Sequence, residues 1–298
     1  MTETIRRLLK EKNAILLAHN YQPPEIQDIA DLCGDSLELS IKAARTKADV
    51  IVFCGVSFMA ETASILSPEK RVFLPKLDAG CPMADMITPE TLEAKLAVLP
   101  PMPVVTYVNS TAAVKAKSTI CCTSANAAMV VNSLGVEELL MGPDRNLAKN
   151  TAARTGKKIH EWHGYCPFHD RLTTQEILLA RKAHPDALVL VHPECRPEVV
   201  AMADAVESTS GMIRYARESD KNKFIVGTEV GMLYPLRKAM PNKRFYPASE
   251  AMVCPDMKKI TLGDIERCLV EMTGEVRVPE SIRMPAKQAV QRMIDLSG

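Results

Sequence analysis

The chain has 298 residues, 47% of them hydrophobic and 24% charged, the composition of an ordinary soluble globular protein that can bury one large core or several small ones. Its net charge of +1 gives no basis for binding nucleic acid or an anionic membrane, and no apolar run approaches the roughly 18 residues of a membrane span. The N-terminus, MTETIRRLLKEKNAILLAHN, is charged through its first turns and lacks a small-residue cleavage site, so a cytoplasmic protein with reduced thiols is expected. Nine cysteines, an odd number, argue for metal binding over a disulfide framework.

After a charged helix at residues 2–12, Ala14 to Ala18 form an unbroken apolar run that ends at His19 and Asn20. Such a run, without alternation, reads as a strand buried on both faces of a parallel sheet. A helix follows, with Asp35 or Ser36 as its N-cap and Glu38 in its first turn. Then come a second apolar strand (DVIVFC), a turn at Gly55, a helix, and a strand leading to Cys81-Pro82. The same order returns in PVVTYVNS, STICCTSANA and ELLMGPDRNLA, closing at Cys166-Pro167. It returns again in ALVLVHPEC, DAVESTSGM and KFIVGTEVGM, closing at Cys254-Pro255. The tail after Cys254 reads as two helices joined by a short turn.

Only these three of the nine cysteines precede proline, and they lie 85 and 88 residues apart. A period this long, with a shared element order, predicts a triplicated β/α subdomain instead of a solenoid. The expected fold is α/β: three similar parallel-sheet α/β/α subdomains in a pseudo-threefold, triangular arrangement around a central site. The units are residues 1–82, with residues 255–298 packed back on them, then 83–170 and 171–254.

Ligands of open α/β sheets bind beyond the carboxyl ends of the strands, where helix N-termini favour anions. Three units meeting tip to tip would gather their polar strand ends into one cavity for a small anionic ligand. Three cysteines there suit a zinc ion with a fourth ligand, or a cubane cluster with one iron left open. Spacing alone also leaves them open as buried small hydrophobes. The other six cysteines, Cys33, Cys54, Cys121, Cys122, Cys195 and Cys268, lack the repeated position and read as buried or incidental. His163 and His169 flank Cys166, but a Cys/His zinc site is the weaker reading. By themselves, His19 reads as a strand-end histidine, Glu194 as a surface loop carboxylate, and Ser36, Ser124 and Thr209 as plain N-caps. Asp144-Arg145 reads as a cap with a structural ion pair, and Lys258-Lys259 as a solvated helix start.

The stretches LLAHNYQPPEIQDIADLCGDSLELS, FCGVSFMAE, GCPMAD, YVNSTAAVKA, CTSANA, GPDRNLA, VHPEC, STSGM, GTEVGM and MVCPDMKK, taken in order, resemble the quinolinate synthase family over residues 14–260. The resemblance implies one 4Fe–4S cluster on Cys81, Cys166 and Cys254. It implies condensation of iminoaspartate with dihydroxyacetone phosphate to quinolinate, phosphate and water, a step of NAD biosynthesis, with the open iron as Lewis acid. The implied substrate contacts are His19, Ser36, Tyr107, Val108, Asn109, Ser124, His192, Pro193, Glu194 and Thr209, with Ser208 a neighbour. Tyr21, Tyr107, His192 and Glu194 are the implied acid–base groups. A CxxCxxC found in some bacterial members is absent from CPDMKK, which removes a redox switch of that kind. The implied partners are the two small substrates and functional coupling to an enzyme that makes iminoaspartate, with no nucleic acid and no membrane. The rival readings are another 4Fe–4S-dependent hydro-lyase and a non-catalytic metal or anion sensor.

Overall fold

The structure is a computed structural model that describes residues 1–297. The unbroken apolar runs become central strands. In β1 (Ala14–His19) and β3 (Val50–Cys54) every residue but Ala14 is buried, as a strand covered on both faces requires. With β2 (Leu32–Gly34) and β4 (Arg71–Phe73) they form a sheet in the order β2-β1-β3-β4. The second sheet, of β5 (Val104–Tyr107), β6 (Ile120–Cys122), β7 (Glu138–Gly142) and β8 (Lys158–Glu161), runs β6-β5-β7-β8. The third, of β9 (Leu188–Val191), β10 (Ala205–Val206), β11 (Lys223–Gly227) and β12 (Arg244–Pro247), runs β10-β9-β11-β12.

All nine pairings are parallel, and each sheet has the same internal order, second-first-third-fourth. The protein is therefore an α/β fold of three similar parallel-sheet units. In that order the chain reverses direction between the first and third strands of a unit, which opens a crevice at their carboxyl ends. His19, Tyr107 and Val191 stand at the ends of the three first strands.

The sequence reading gives the first unit no strand at β2. The double proline starts a short helix, Pro24–Ile29, whose return lays Leu32–Gly34 along β1. Three residues at a sheet edge are too few for periodicity to reveal.

Helix starts are offset from the hydroxyl residues. The cap of helix Ser36–Arg45 is Asp35, in a capping box with Glu38, and the cap of helix Thr209–Glu218 is Ser208. Ser36 and Thr209 are thus first-turn residues, and Ser124 lies two residues before the Asn126 cap of helix Ala127–Ser133. The plain N-cap reading does not hold for any of the three.

Helix Leu262–Glu271 packs against the N-terminal helix Thr2–Glu11. The last helix, Glu280–Ser297, packs against helix Ser57–Leu66 of the first unit and against helix Ala112–Lys115 and β6 of the second. The connector between them pairs with the edge strand β4, with Val276 N–H donating to Val72 and Leu74 N–H to Gly274. One large apolar core joins Leu16 and Ile51 of the first unit to Val105 and Leu139 of the second and Phe224 of the third. No helix of the described residues is long and apolar enough to cross a membrane.

Candidate active site

The strand tips of all three units line one cavity. The first unit brings His19, Tyr21, Ser36 and Cys81, the second Tyr107, Asn109, Ser124 and Cys166, and the third His192, Glu194, Thr209 and Cys254. Every expected site residue is there except two. Val108 is buried in the core, its N–H donating to Cys122, and the Pro193 carbonyl accepts a hydrogen bond from Asn150. Neither lines the cavity.

Hydrogen bonds across the units give the cavity its electrostatics. His19 Nδ1 accepts the N–H of Tyr21 at 3.2 Å, so its remaining proton sits on Nε2. Burial, reinforced by the Lys258 ammonium, pushes this imidazole down to about 3, and burial does the same to His192. Both are neutral at physiological pH. His192 Nδ1 accepts the Glu194 N–H at 3.4 Å, which leaves Nε2–H to face Ser124 Oγ at 3.2 Å.

Glu194 is the focus of the polar set. It is 3% exposed, which contradicts the surface-carboxylate reading. Burial alone would raise its carboxyl. The imidazoles of His192 and His169, with hydrogen bonds from His169 and Tyr107, outweigh that and hold it below the ordinary range.

Two chains of donors converge on it. Tyr21 Oη lies 2.5 Å from Thr228 Oγ1, Thr228 Oγ1 lies 2.7 Å from His169 Nε2, and His169 Nδ1 lies 2.6 Å from Glu194 Oε2. On the other side His192 meets Ser124, and Tyr107 bonds both Ser124 and Glu194. With Glu194 ionised, one assignment satisfies these six hydrogen bonds: Tyr21 donates to Thr228, Thr228 to His169, and His169 to Glu194; His192 donates to Ser124, Ser124 to Tyr107, and Tyr107 to Glu194. Burial, then the Glu194 charge, raises both tyrosine hydroxyls well above their ordinary value, so they stay protonated donors.

Sequence reasoning set His169 aside and missed Thr228, Glu229 and Lys258. His169 is 3% exposed and His163 is exposed, so the two residues flanking Cys166 have opposite fates. Lys258 is not a solvated helix start: its ammonium lies 3.0 Å from the Glu229 carboxylate and donates to the Tyr21 carbonyl. Fully buried Lys115 donates to the Ser110 carbonyl and holds the loop that carries Asn109. Asp144 does cap its helix, through Leu147 N–H, and Arg145 pairs with Asp170 at 3.1 Å. The signal for the missed groups was weak because each partner lies in another loop or unit.

The ligand-type atoms that lie within 4.8 Å of one another, among the described residues, are those of Cys166, His169 and Glu194. The sulfurs of Cys81, Cys166 and Cys254 line the same cavity without being gathered that closely. A single tetrahedral ion with bonds of roughly 2.3 Å needs its sulfurs within about 4 Å of one another. All nine cysteines are free thiols. Burial, the main cause in each case, pushes Cys81 up to about 12, Cys254 up to about 11 and Cys166 well above its ordinary value. One further polar atom on the cavity wall, Asn109 Oδ1, is buried with no hydrogen-bond partner, as expected of a group kept for a ligand.

Fold and site together define a triplicated α/β enzyme with one cavity, where three cysteines meet a set of buried, mutually hydrogen-bonded polar side chains. Residues 3–295 match the family described as quinolinate synthetase A protein. The chain is 58% identical over 292 residues to the quinolinate synthase of Geobacter metallireducens, covering 98% of this chain and 96% of that one. It is 57% identical over 290 residues to the quinolinate synthase of Geobacter sp. strain M21, covering 97% and 95%. With that of Dehalococcoides mccartyi the identity is 54% over 297 residues, covering 100% and 98%. The chain belongs to the quinolinate synthase family.

Proposed function

We propose that the chain condenses iminoaspartate with dihydroxyacetone phosphate to give quinolinate, phosphate and water, in NAD biosynthesis. The observation that carries this reading is the single cavity at which three thiols and the polar tips of all three units meet, in a member of this family. The division into residues 1–82 with 255–298, 83–170 and 171–254 is supported by the one four-stranded sheet that each span holds. The cytoplasm is the compartment that suits nine unpaired thiols.

Cys81, Cys166 and Cys254 would hold one 4Fe–4S cluster. Three soft sulfur donors, wider apart than a single zinc ion allows, favour that group. When bound, it supplies a Lewis acid at the iron that lacks a cysteine.

The chain's own residues bind, orient and move protons. His19 Nε2–H and the Ser36 hydroxyl are the candidates to hold carboxylate and phosphate oxygens, helped by the N-termini of helices Ser36–Arg45 and Thr209–Glu218, while Asn109 Oδ1 is free to accept from a substrate hydroxyl or N–H. Thr209 Oγ1 already accepts from Asn20 at 2.9 Å, which leaves its own proton to donate. Glu194 is the general base: ionised, buried, and the end point of both donor chains. Tyr21 and Tyr107 are the matching acids. A proton taken up at Glu194 can return through Tyr107, while the Tyr21–Thr228–His169 chain, with its donors pointing toward Glu194, favours the ionised carboxylate. Neutral His192 positions Glu194 and Ser124. Burial of these groups excludes water from an intermediate that hydrolyses readily.

The test is product analysis under anaerobic conditions. Quinolinate and phosphate are expected in equal amounts only when both substrates are supplied, with iminoaspartate formed in situ from oxaloacetate and ammonia. Turnover of a hydroxy-acid alone would point to another hydro-lyase. Binding without turnover would point to a sensor.

A further inference from the structure

The three units repeat a backbone hydrogen bond that fixes which of their residues are equivalent. Beyond the third strand of each unit, one residue donates its N–H to the carbonyl two places before the Cys-Pro cysteine. These bonds are Ser57 to Ala79 at 2.8 Å, Arg145 to Gly164 at 2.8 Å and Val230 to Met252 at 2.9 Å. The residue just before each donor therefore occupies one position three times over: Val56, Asp144 and Glu229.

In two units that residue is a buried carboxylate aimed at the cysteine. Asp144 Oδ2 accepts the N–H of Cys166 at 3.0 Å while Oδ1 accepts the N–H of Leu147 at 2.7 Å. Glu229 Oε1 accepts the N–H of Cys254 at 3.3 Å. Its other oxygen accepts the Gly231 N–H at 2.7 Å and the Lys258 ammonium at 3.0 Å. Each carboxylate is 1% exposed. In the first unit Val56, also buried, offers no acceptor to Cys81. That arm is tied one residue earlier, where Gly80 N–H donates to Asp256, two residues after Cys254, at 3.3 Å.

We propose that Asp144 and Glu229 are equivalent positioning residues that preset Cys166 and Cys254 for the cluster, leaving Cys81 as the ligand that is fixed last and released first. The proposal rests on the cluster reading above. A bidentate carboxylate fixes the cysteine's backbone against the helix or turn that it caps, so the thiol's direction is set before metal arrives. Loss of groups that orient a metal ligand typically weakens metal retention about 10–100-fold. The pseudo-threefold repeat supplies an internal control, because the same position lacks the carboxylate in one unit.

The experiment is an anaerobic chelator challenge of the iron-loaded full chain, wild type beside Asp144→Asn and Glu229→Gln. Iron release is followed by absorbance, and exposed thiols are trapped with an alkylating agent and mapped by mass spectrometry. An amide at either position keeps one accepting oxygen and turns a donor toward the other N–H. In the wild type, Cys81 is expected to be alkylated first. In Asp144→Asn, iron release should quicken about 10–100-fold with Cys166 joining Cys81; in Glu229→Gln, Cys254 should join instead. Unchanged release and order in both variants overturns the proposal, as does Cys166 or Cys254 preceding Cys81 in the wild type. Simultaneous labelling of core cysteines such as Cys54 and Cys122 would mark general unfolding and also overturn it. Should a variant fail to fold, the wild-type order still decides. A wild-type chain that holds no iron would be seen before any variant is compared, and would remove the cluster reading itself.

Discussion

At the scale of single residues, the site depends on which groups keep or lack a proton in a buried setting. Glu194 stays ionised because His192, His169 and Tyr107 act on it, not because water reaches it. Glu194→Gln should therefore retain the iron of the wild type and lose at least about 100-fold in turnover, the usual worth of a positioned base. Full activity with the substituted residue would remove it from the mechanism. His19 and His192 carry a second consequence. Both titrate near about 3 in the folded chain and near 6.5 when unfolded. Between those values the unfolded chain binds more protons, so stability falls as pH drops through that window. At pH 5 the loss is ~2 kcal/mol for each histidine. Denaturation midpoints at pH 7 and pH 5 check this; a double variant, His19→Asn with His192→Asn, should show a visibly flatter dependence, and an equally steep one would contradict it. His169 could not be valued from sequence. Its imidazole gains meaning only where a loop of the third unit brings Glu194 to 2.6 Å.

At the scale of elements, the strands were legible because a strand buried on both faces must be apolar throughout, as Ile51 to Cys54 are. The helix starts were half legible. Asp35 and Ser36 both looked able to cap, and the choice is made by a contact between units: Ser208 Oγ donates to Asp35 Oδ2 at 3.0 Å, while Asp35 also accepts from Leu37 and Glu38 N–H. Two helix N-termini from different units are thereby joined beside the cavity, and the freed hydroxyls of Ser36 and Thr209 line it. Asp35→Ala should destabilise the protein by about 1–2 kcal/mol, the worth of a lost cap. A double-mutant cycle with Ser208→Ala should show a coupling of roughly 1 kcal/mol for the hydrogen bond. Strict additivity of the two losses would mean that the two helices do not support each other. The short strands β2 and β10 were not legible, since two or three residues at a sheet edge carry no periodic signal.

At the scale of the whole molecule, three sheets of identical internal order converge on one cavity. Triplication was visible in the nearly equal steps between Cys81, Cys166 and Cys254, because each closes the loop after the last strand of its unit. What the spacing could not give is the pairing between units. Thr228 reaches Tyr21 and His169, Lys258 reaches Glu229, and Asn20 reaches Thr209, each across a unit boundary. The central claim is that one metal centre needs a thiol from each unit. It is tested most directly by counting iron and sulfide per chain after anaerobic purification of the wild type and of Cys81→Ala, Cys166→Ala and Cys254→Ala. The account predicts about four irons and four sulfides in the wild type and loss of an intact 4Fe–4S centre in each variant. A full complement retained without any one of these three thiols would contradict it.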